Sequence, residues 1–490
     1  MPARASSPSP ARSGAQSSSC VTQVEPEDDA AITRRLKLEA AVTARAKGTR
    51  ERVRRMSPSW FSVTMGTGIV HTLLFLLPWP STHAVFRDIG LVFLVATMLL
   101  FICFSIAHVS RYIIFRGIFG VMIRHESHSL FLGTIPMGFV TIVSGIVVEG
   151  YAFNLPHVVY AASGLWWLAL VMSMLTATAV PYAMMTLQKQ SQQGLTALWL
   201  LPVVPPITVA AVGSSIAADL VDDDPSYALT ILLTSYVMLG IGFLLAFMIL
   251  TLYFERLTMH HMPAREVIVS TFLPLGPCGQ AGYALIELGK VCMTLFPALA
   301  ARNPDRPGRK DLSPVGPAMY GCGLVLGLML WGLGMWWALL AIVSVGQSFM
   351  NPKETTFSMG WWSFTFPLGS MTLLTLSLAS AFDSLFFKVV ATIMTGAVLA
   401  LWLLVAIPTA IGFVRGTQVF QAPCLADLPD KEARETVPTT TPRARASSAR
   451  TYSIIAGVSS GAYELVDRLP AHVSNSNGDD TQTTAASFSA

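Results

Sequence analysis

Residues 271–289 read TFLPLGPCGQAGYALIELG. The stretch is apolar enough to lie in a lipid bilayer, yet it holds two prolines and four glycines, the residues that weaken a helix most. Interrupted helix at membrane depth is tolerated only where the backbone is buried in protein or lines a wet cavity. The segment therefore selects among folds: it fits a multi-span helical protein with an internal path, and it does not fit a lone membrane anchor.

The rest of the chain agrees. Of 490 residues, 53% are hydrophobic and 12% charged, with a mean hydropathy of +0.56, whereas soluble domains carry about 25% charge. A soluble protein is excluded. A bilayer core about 30 Å thick takes roughly 20 apolar residues to cross as a helix, and ten such stretches are expected near 59–79, 87–110, 129–149, 158–187, 195–218, 227–254, 266–289, 317–346, 359–381 and 385–413. The predicted fold is all-α, with residues 58–416 forming the membrane domain, 1–57 a cytoplasmic segment made of a disordered stretch plus a basic helix, and 417–490 a disordered cytoplasmic tail.

Nine Lys or Arg between Arg34 and Arg55 precede the first span, which places the N-terminus in the cytoplasm by the positive-inside rule. Ten spans return the C-terminus to the same side. The six cysteines form no CxxC pair, so neither a disulfide framework nor a metal site is predicted.

Side by side, the odd-numbered spans share one feature. They carry MGTG at Met65–Gly68, PMG at Pro136–Gly138, PVVPP at Pro202–Pro206, PLGPCG at Pro274–Gly279 and FPLG at Phe366–Gly369. Each break is expected seven or eight residues into its span, roughly 10 to 12 Å deep at 1.5 Å per residue. One such residue means little, because Gly and Pro are common in membrane helices. Five at one depth predict kinked odd helices around a central path, shielded from lipid by the even ones, that is, five helical hairpins. Gly276, Gly279 and Gly282 recur every three residues, and that face is expected to touch the path or the neighbouring inner helix.

Candidate path residues follow: Gly66, Gly68, Pro136, Gly138, Pro202, Pro205, Pro274, Gly276, Pro277 and Gly279 at the breaks, with the short neutral groups Ser62, Thr64, Thr67, Thr141, Ser144, Gln280, Ser363 and Thr365. Hydroxyl and amide dipoles solvate an anion without holding it, as fast transport requires. The alternative for each Ser or Thr is a bond to a carbonyl one turn back. His71, one turn past the first break, reads either as a proton-sensitive path group or as a histidine bonded to a neighbouring helix. Glu287 and Lys290, three apart, are expected to pair. Phe364 and Phe366 lie on different sides of their helix, so at most one faces the axis.

SWFSVTMGTGI (59–69), LFLGTIPMGFVTI (130–142), FLPLGPCGQAG (272–282) and WWSFTFPLGSM (361–371) together resemble the tellurite-resistance and dicarboxylate transporter family, which includes fungal sulfite efflux pumps, fungal malate permeases and plant slow anion channels. The resemblance covers about residues 59–416. It implies ten helices as five hairpins around a quasi-fivefold central pore, one pore per subunit of a homotrimer, with sulfite or bisulfite leaving across the plasma membrane. It carries the family's gating phenylalanine, in its TFP context, onto Phe366, with Phe364 as fallback.

Three classes compete. A malate or C4-dicarboxylate permease, or a general small-anion channel, is the alternative within transport, and the scarcity of Lys and Arg inside the spans favours a small, weakly held anion over a dicarboxylate. An enzyme lacks support, since no HExxH, membrane aspartate pair or nucleophile motif is present. A scaffold or sensor of the same fold would show no flux. No cofactor, metal or nucleic-acid partner is predicted; the lipid bilayer is.

Overall fold

The computed structural model describes residues 48–425, except 80–82, 154, 156, 264, 303–311, 351–356, 417, 421 and 423. The described residues all fall in one compact unit, Leu38–Pro429. The expected disordered N-terminal stretch and the tail beyond 425 lie outside them.

Twelve α-helices are described: α1 (Thr49–Arg55), α2 (Phe61–Phe75), α3 (His83–Ile114), α4 (Ile118–Arg124), α5 (Thr134–Ala152), α6 (Val158–Thr186), α7 (Pro205–Asp219), α8 (Pro225–His260), α9 (Leu275–Arg302), α10 (Val315–Phe349), α11 (Thr365–Phe382) and α12 (Leu385–Arg415). Eight described helices are long and apolar enough to cross a membrane. The two other expected spans correspond to α2 and α7, of 15 residues each, about 22 Å of helix.

Burial sorts the helices into two sets. In the spans Leu130–Ala152, Val267–Arg302 and Met359–Phe382 the apolar windows are 61%, 50% and 83% buried, against 22% to 33% in the five others. The short helices α2 and α7 are buried along nearly their whole length. The inner set is thus α2, α5, α7, α9 and α11. Each packs on the helix that follows it, as α2 on α3, α5 on α6, α7 on α8, α9 on α10 and α11 on α12. The inner helices also pack in a closed order: α2 on α5, α5 on α7, α7 on α9, α9 on α11, and α11 on α2. The following helices α3, α6, α8, α10 and α12 show apolar side chains to the outside, such as Leu99, Ile106, Leu175, Met248 and Ile407, as a lipid-facing surface requires.

Indole N–H groups tie the two sets together. Trp166 on α6 donates to the Val209 carbonyl on α7 at 2.8 Å, Trp402 on α12 to Thr67 on α2 at 3.1 Å, and Trp331 on α10 to Thr375 on α11 at 3.0 Å. A buried indole needs such a partner, and without water none but protein is available.

The start of each inner helix explains the prolines. A 3-10 turn precedes every one: Pro58–Trp60, Leu130–Gly133, Ala197–Leu200, Arg265–Phe272 and Met359–Phe364. Pro136, Pro277 and Pro367 are each the third residue of α5, α9 and α11, each followed two residues later by Gly138, Gly279 and Gly369. Pro205 and Pro206 open α7. A proline in the first turn costs little, because its missing N–H would have no helical partner there. Four of the five expected breaks therefore coincide with a change from 3-10 turn to α-helix. The fifth differs: α2 runs uninterrupted through Met65–Gly68. Away from water nothing competes for its backbone bonds, and its glycines serve packing instead.

Basic groups collect at the N-terminal end of the inner helices. Arg111, fully buried near the end of α3, donates through Nε to the Arg54 carbonyl at the C-terminus of α1 at 3.0 Å, where a cation meets the negative end of the helix dipole. Arg52 donates to the Val414 carbonyl at 3.1 Å and lies over Phe413 and Phe420. His128, in the same region and outside the spans, has its imidazole pushed down to about 3, first by burial and then by its neighbours His125 and Arg111.

Candidate functional site: two joined chambers between the inner helices

The inner helices enclose two cavities, the larger toward their C-terminal ends. The smaller, of about 30 Å³, is lined by residues of all five, among them Ile69 and Thr72 (α2), Thr141 and Ser144 (α5), Thr208 and Ser215 (α7), Gln280 and Tyr283 (α9), and Phe366 (α11). The larger, of about 500 Å³, opens beyond it and includes Tyr151, Asp219, Glu287 and Lys290. Thr72, Ser144, Ser215 and Tyr283 line both, so the chambers adjoin. Tyr283 of α9 and Ser215 of α7 stand together at that junction.

Within the small chamber there is no lysine or arginine. The hydroxyl protons of Thr141 and Thr208 are committed to the carbonyls of Gly138 (2.8 Å) and Pro205 (2.7 Å) one turn back, which leaves these two presenting lone pairs. Gln280 is 5% exposed, and its Oε1 has no hydrogen-bond partner. In the larger chamber Lys290 donates to Glu287 at 2.8 Å, and Ser377 donates to the same carboxylate oxygen. The lysine charge is therefore balanced on the spot.

Phe366, 3% exposed, forms part of the wall of the small chamber, at the first turn of α11. Phe364 does not; it packs edge-on against Phe272 at 5.0 Å and Trp361 at 6.1 Å. Around Phe366 the inner helices lock together through glycine. A Cβ on Gly279 would come within 2.4 Å of the backbone at Ser370 and Met371, one on Gly66 within 2.2 Å of the Thr365 hydroxyl, and one on Gly138 within 2.3 Å of the Thr64 hydroxyl. Only glycine permits helices to approach this closely. The glycine face of α9 touches its neighbour α11, while Gly276 meets nothing nearer than Pro367 at 3.9 Å. In these three pairs the N-terminal segment of one helix meets the N-terminal segment of the other.

Of the residues singled out from the sequence, the structure brings Ser144, Gln280 and Phe366, with Thr141, to the small chamber. Gly66, Gly68, Pro136, Gly138, Pro202, Pro205, Pro274, Gly276, Pro277 and Gly279 line neither cavity. Thr64 and Thr67 bond back to the Phe61 and Val63 carbonyls, both at 2.7 Å, and Thr365 to the Trp362 carbonyl at 3.0 Å. His71 is fully buried on the far side of α2 from the cavities, with Nδ1 3.9 Å from Glu149 Oε1 and close to Gly90.

Sequence reasoning missed Thr72, Thr208, Ser215 and Tyr283. A signal was present: Ile69, Thr72 and Leu76, Thr208, Ala211 and Ser215, and Gln280, Tyr283 and Glu287 recur at helical spacings of three, four and seven. No group of three or more metal-ligating side chains occurs among the described residues.

The fold defines a multi-span helical membrane protein whose smaller internal cavity has a neutral wall bearing hydroxyls and one amide. Residues 55–410 match the voltage-dependent anion channel (SLAC1) family, and the chain belongs to it. The chain is 36% identical over 370 residues to the sulfite efflux pump of Arthroderma benhamiae, which spans 75% of this chain and 93% of that protein. The sulfite efflux pump of Saccharomyces cerevisiae is 25% identical, over 65% and 78%. The malic acid transport protein of Schizosaccharomyces pombe is 22% identical, over 69% and 74%.

Proposed function

We propose that this protein exports sulfite or bisulfite across the plasma membrane, through a pore between α2, α5, α7, α9 and α11 that Phe366 closes. The reading takes ten helices as five hairpins in quasi-fivefold order, and the cyclic packing of the inner helices supports it. The basic end, where Arg52, Arg54 and Arg111 gather, supports cytoplasmic termini. The family resemblance supports a homotrimer with one pore per subunit, and no catalytic step is involved.

One observation carries the functional reading: Phe366 lines the smaller of two adjoining cavities, whose polar wall groups are hydroxyls and one amide, with no Lys or Arg among its lining residues. Such a wall passes a small anion and binds it weakly. A doubly charged malate would call for fixed positive charge. The relatives named as sulfite efflux pumps are also more similar to this chain than the malic acid transport protein is. With the cell interior negative, each departing charge gains about 2.3 kcal/mol per 100 mV, so export needs no other energy source.

The test is reconstitution of the full chain in liposomes with sulfite, malate and chloride flux measured under an imposed voltage. Sulfite flux is expected to exceed malate flux by about tenfold or more. Malate flux equal to or above sulfite flux overturns the assignment, and absence of any flux overturns transport itself.

A further inference from the structure

We propose that Gln280 selects the singly protonated anion, hydrogen sulfite, over the sulfite dianion; this rests on the export reading above and names its ionic substrate. Two independent features of the small chamber lead to it. The first is charge. The chamber has no Lys or Arg, and the desolvation cost of an ion grows with the square of its charge while nothing in the wall offsets it. A dianion is disfavoured far more steeply than a monoanion.

The second is hydrogen-bond inventory. An amide offers one acceptor oxygen and two donor hydrogens, and rotating it by half a turn exchanges their places without removing either. Gln280 supplies the only amide among the residues lining this chamber. Its buried Oε1 is unpartnered, and a buried acceptor left unmade is costly. Hydrogen sulfite in its O-protonated form carries an S–O–H donor and two S–O acceptors on one sulfur. It can donate to Oε1 and accept from Nε2 at once. The dianion and chloride have no donor and leave Oε1 orphaned. The neighbouring Thr141 and Thr208 hydroxyls have spent their protons on Gly138 and Pro205, so of these three wall groups only the amide has a donor to offer. A site shaped for a substrate O–H discriminates strongly against analogues without one.

The other titratable groups near the path are accounted for. Tyr283 and Ser215 share the chamber wall. Asp219, Glu287 and Lys290 lie in the outer chamber. His71 and Glu149 face each other behind the wall, and Cys278 is buried two residues before the amide.

The experiment measures sulfite and chloride flux in proteoliposomes of the full chain, at fixed total sulfite and fixed voltage, with equal pH on both sides stepped from acid to alkaline. Chloride keeps its charge across the range, so its flux reports any titration of the protein. The sulfite-to-chloride flux ratio of the wild type is expected to fall with the hydrogen sulfite fraction. In Gln280→Met the ratio at acid pH should drop about tenfold or more, and Gln280→Asn, which keeps an amide, should recover part of it. The ratio is internal to each preparation, so loss of folded protein cancels. A wild-type ratio that is flat or rises with the dianion fraction overturns the proposal, as does an unchanged ratio in Gln280→Met. Wild type that moves chloride but no sulfite at any pH refutes the export reading instead.

Discussion

Two sets of small residues on the inner helices serve opposite ends. Gly66, Gly138 and Gly279 bring helices together until a single methyl would collide with a neighbour, a threonine hydroxyl at the first two and the Ser370–Met371 backbone at the third. Thr72, Ser144, Thr208 and Ser215 leave space and line it with oxygen. Phe366, next to the Thr365 contact and lining the smaller space, stands at the border of the two sets. Smallness alone therefore does not mark a path: what the small residue faces decides whether it closes the structure or opens it.

The sharpest way to break this contrast is to add one carbon on each side of a single helix turn. Gly279→Ala forces a Cβ into the backbone at Ser370 and Met371 and is expected to destabilise the folded protein by about 3 kcal/mol or more. Gly276→Ala, with only Pro367 at 3.9 Å, should stay within about 0.5 kcal/mol of wild type. Thermal unfolding of the two in detergent decides it, and equal melting shifts would refute the interlock.

Next in size, Phe366→Ala removes the ring at the border and is expected to raise anion conductance about tenfold, measured in planar bilayers. Phe364→Ala, whose ring packs between Phe272 and Trp361, should leave conductance near wild type while lowering stability. If the two exchange effects, the border lies elsewhere.

A smaller effect tests the wide chamber. Lys290→Gln leaves Glu287 without its counter-charge, makes the mouth more negative, and should slow anion exit about two- to threefold at low salt, with less effect at high salt. Flux at two ionic strengths reads this out, and no salt dependence of the difference would remove Lys290 from the route.

The basic end should show an acid sensitivity of stability. Burial lowers the His128 imidazole to about 3 in the folded chain, against about 6.5 when unfolded, so the unfolded chain binds the extra proton first. Stability is full above about 6.5 and is lost progressively as pH falls from there toward about 3. His128→Gln should flatten that acid limb in melting curves. The smallest expected effect is on His71. Its place between α2, α3 and α5, away from both cavities, predicts that His71→Gln leaves the pH profile of sulfite flux unchanged, and an altered profile would put it back on the path.

Much of this was legible in the sequence. The apolar segments and the odd–even division follow from hydropathy and from where Gly and Pro recur, Gln280 is readable as a neutral polar group beside a break, and Phe366 is singled out by the family resemblance. What was not legible is rotational phase. Thr67 and Thr72 are equally polar and five residues apart, yet Thr67 accepts from Trp402 on an outer helix while Thr72 lines both chambers. Only the partner across the interface decides which side a hydroxyl serves. The same limit applies to Met65–Gly68, read as an interruption because glycine weakens a helix. In the structure those residues continue α2 without a break, since the neighbours that need the close approach, Thr365, Trp362 and Thr141, are remote in sequence.

The indoles of Trp166, Trp331 and Trp402 join the outer helices to α7, α11 and α2 like struts of fixed length. When acyl chains shorten or lengthen, membrane helices tilt to match, and links of this kind make each outer helix and its inner partner tilt as one body.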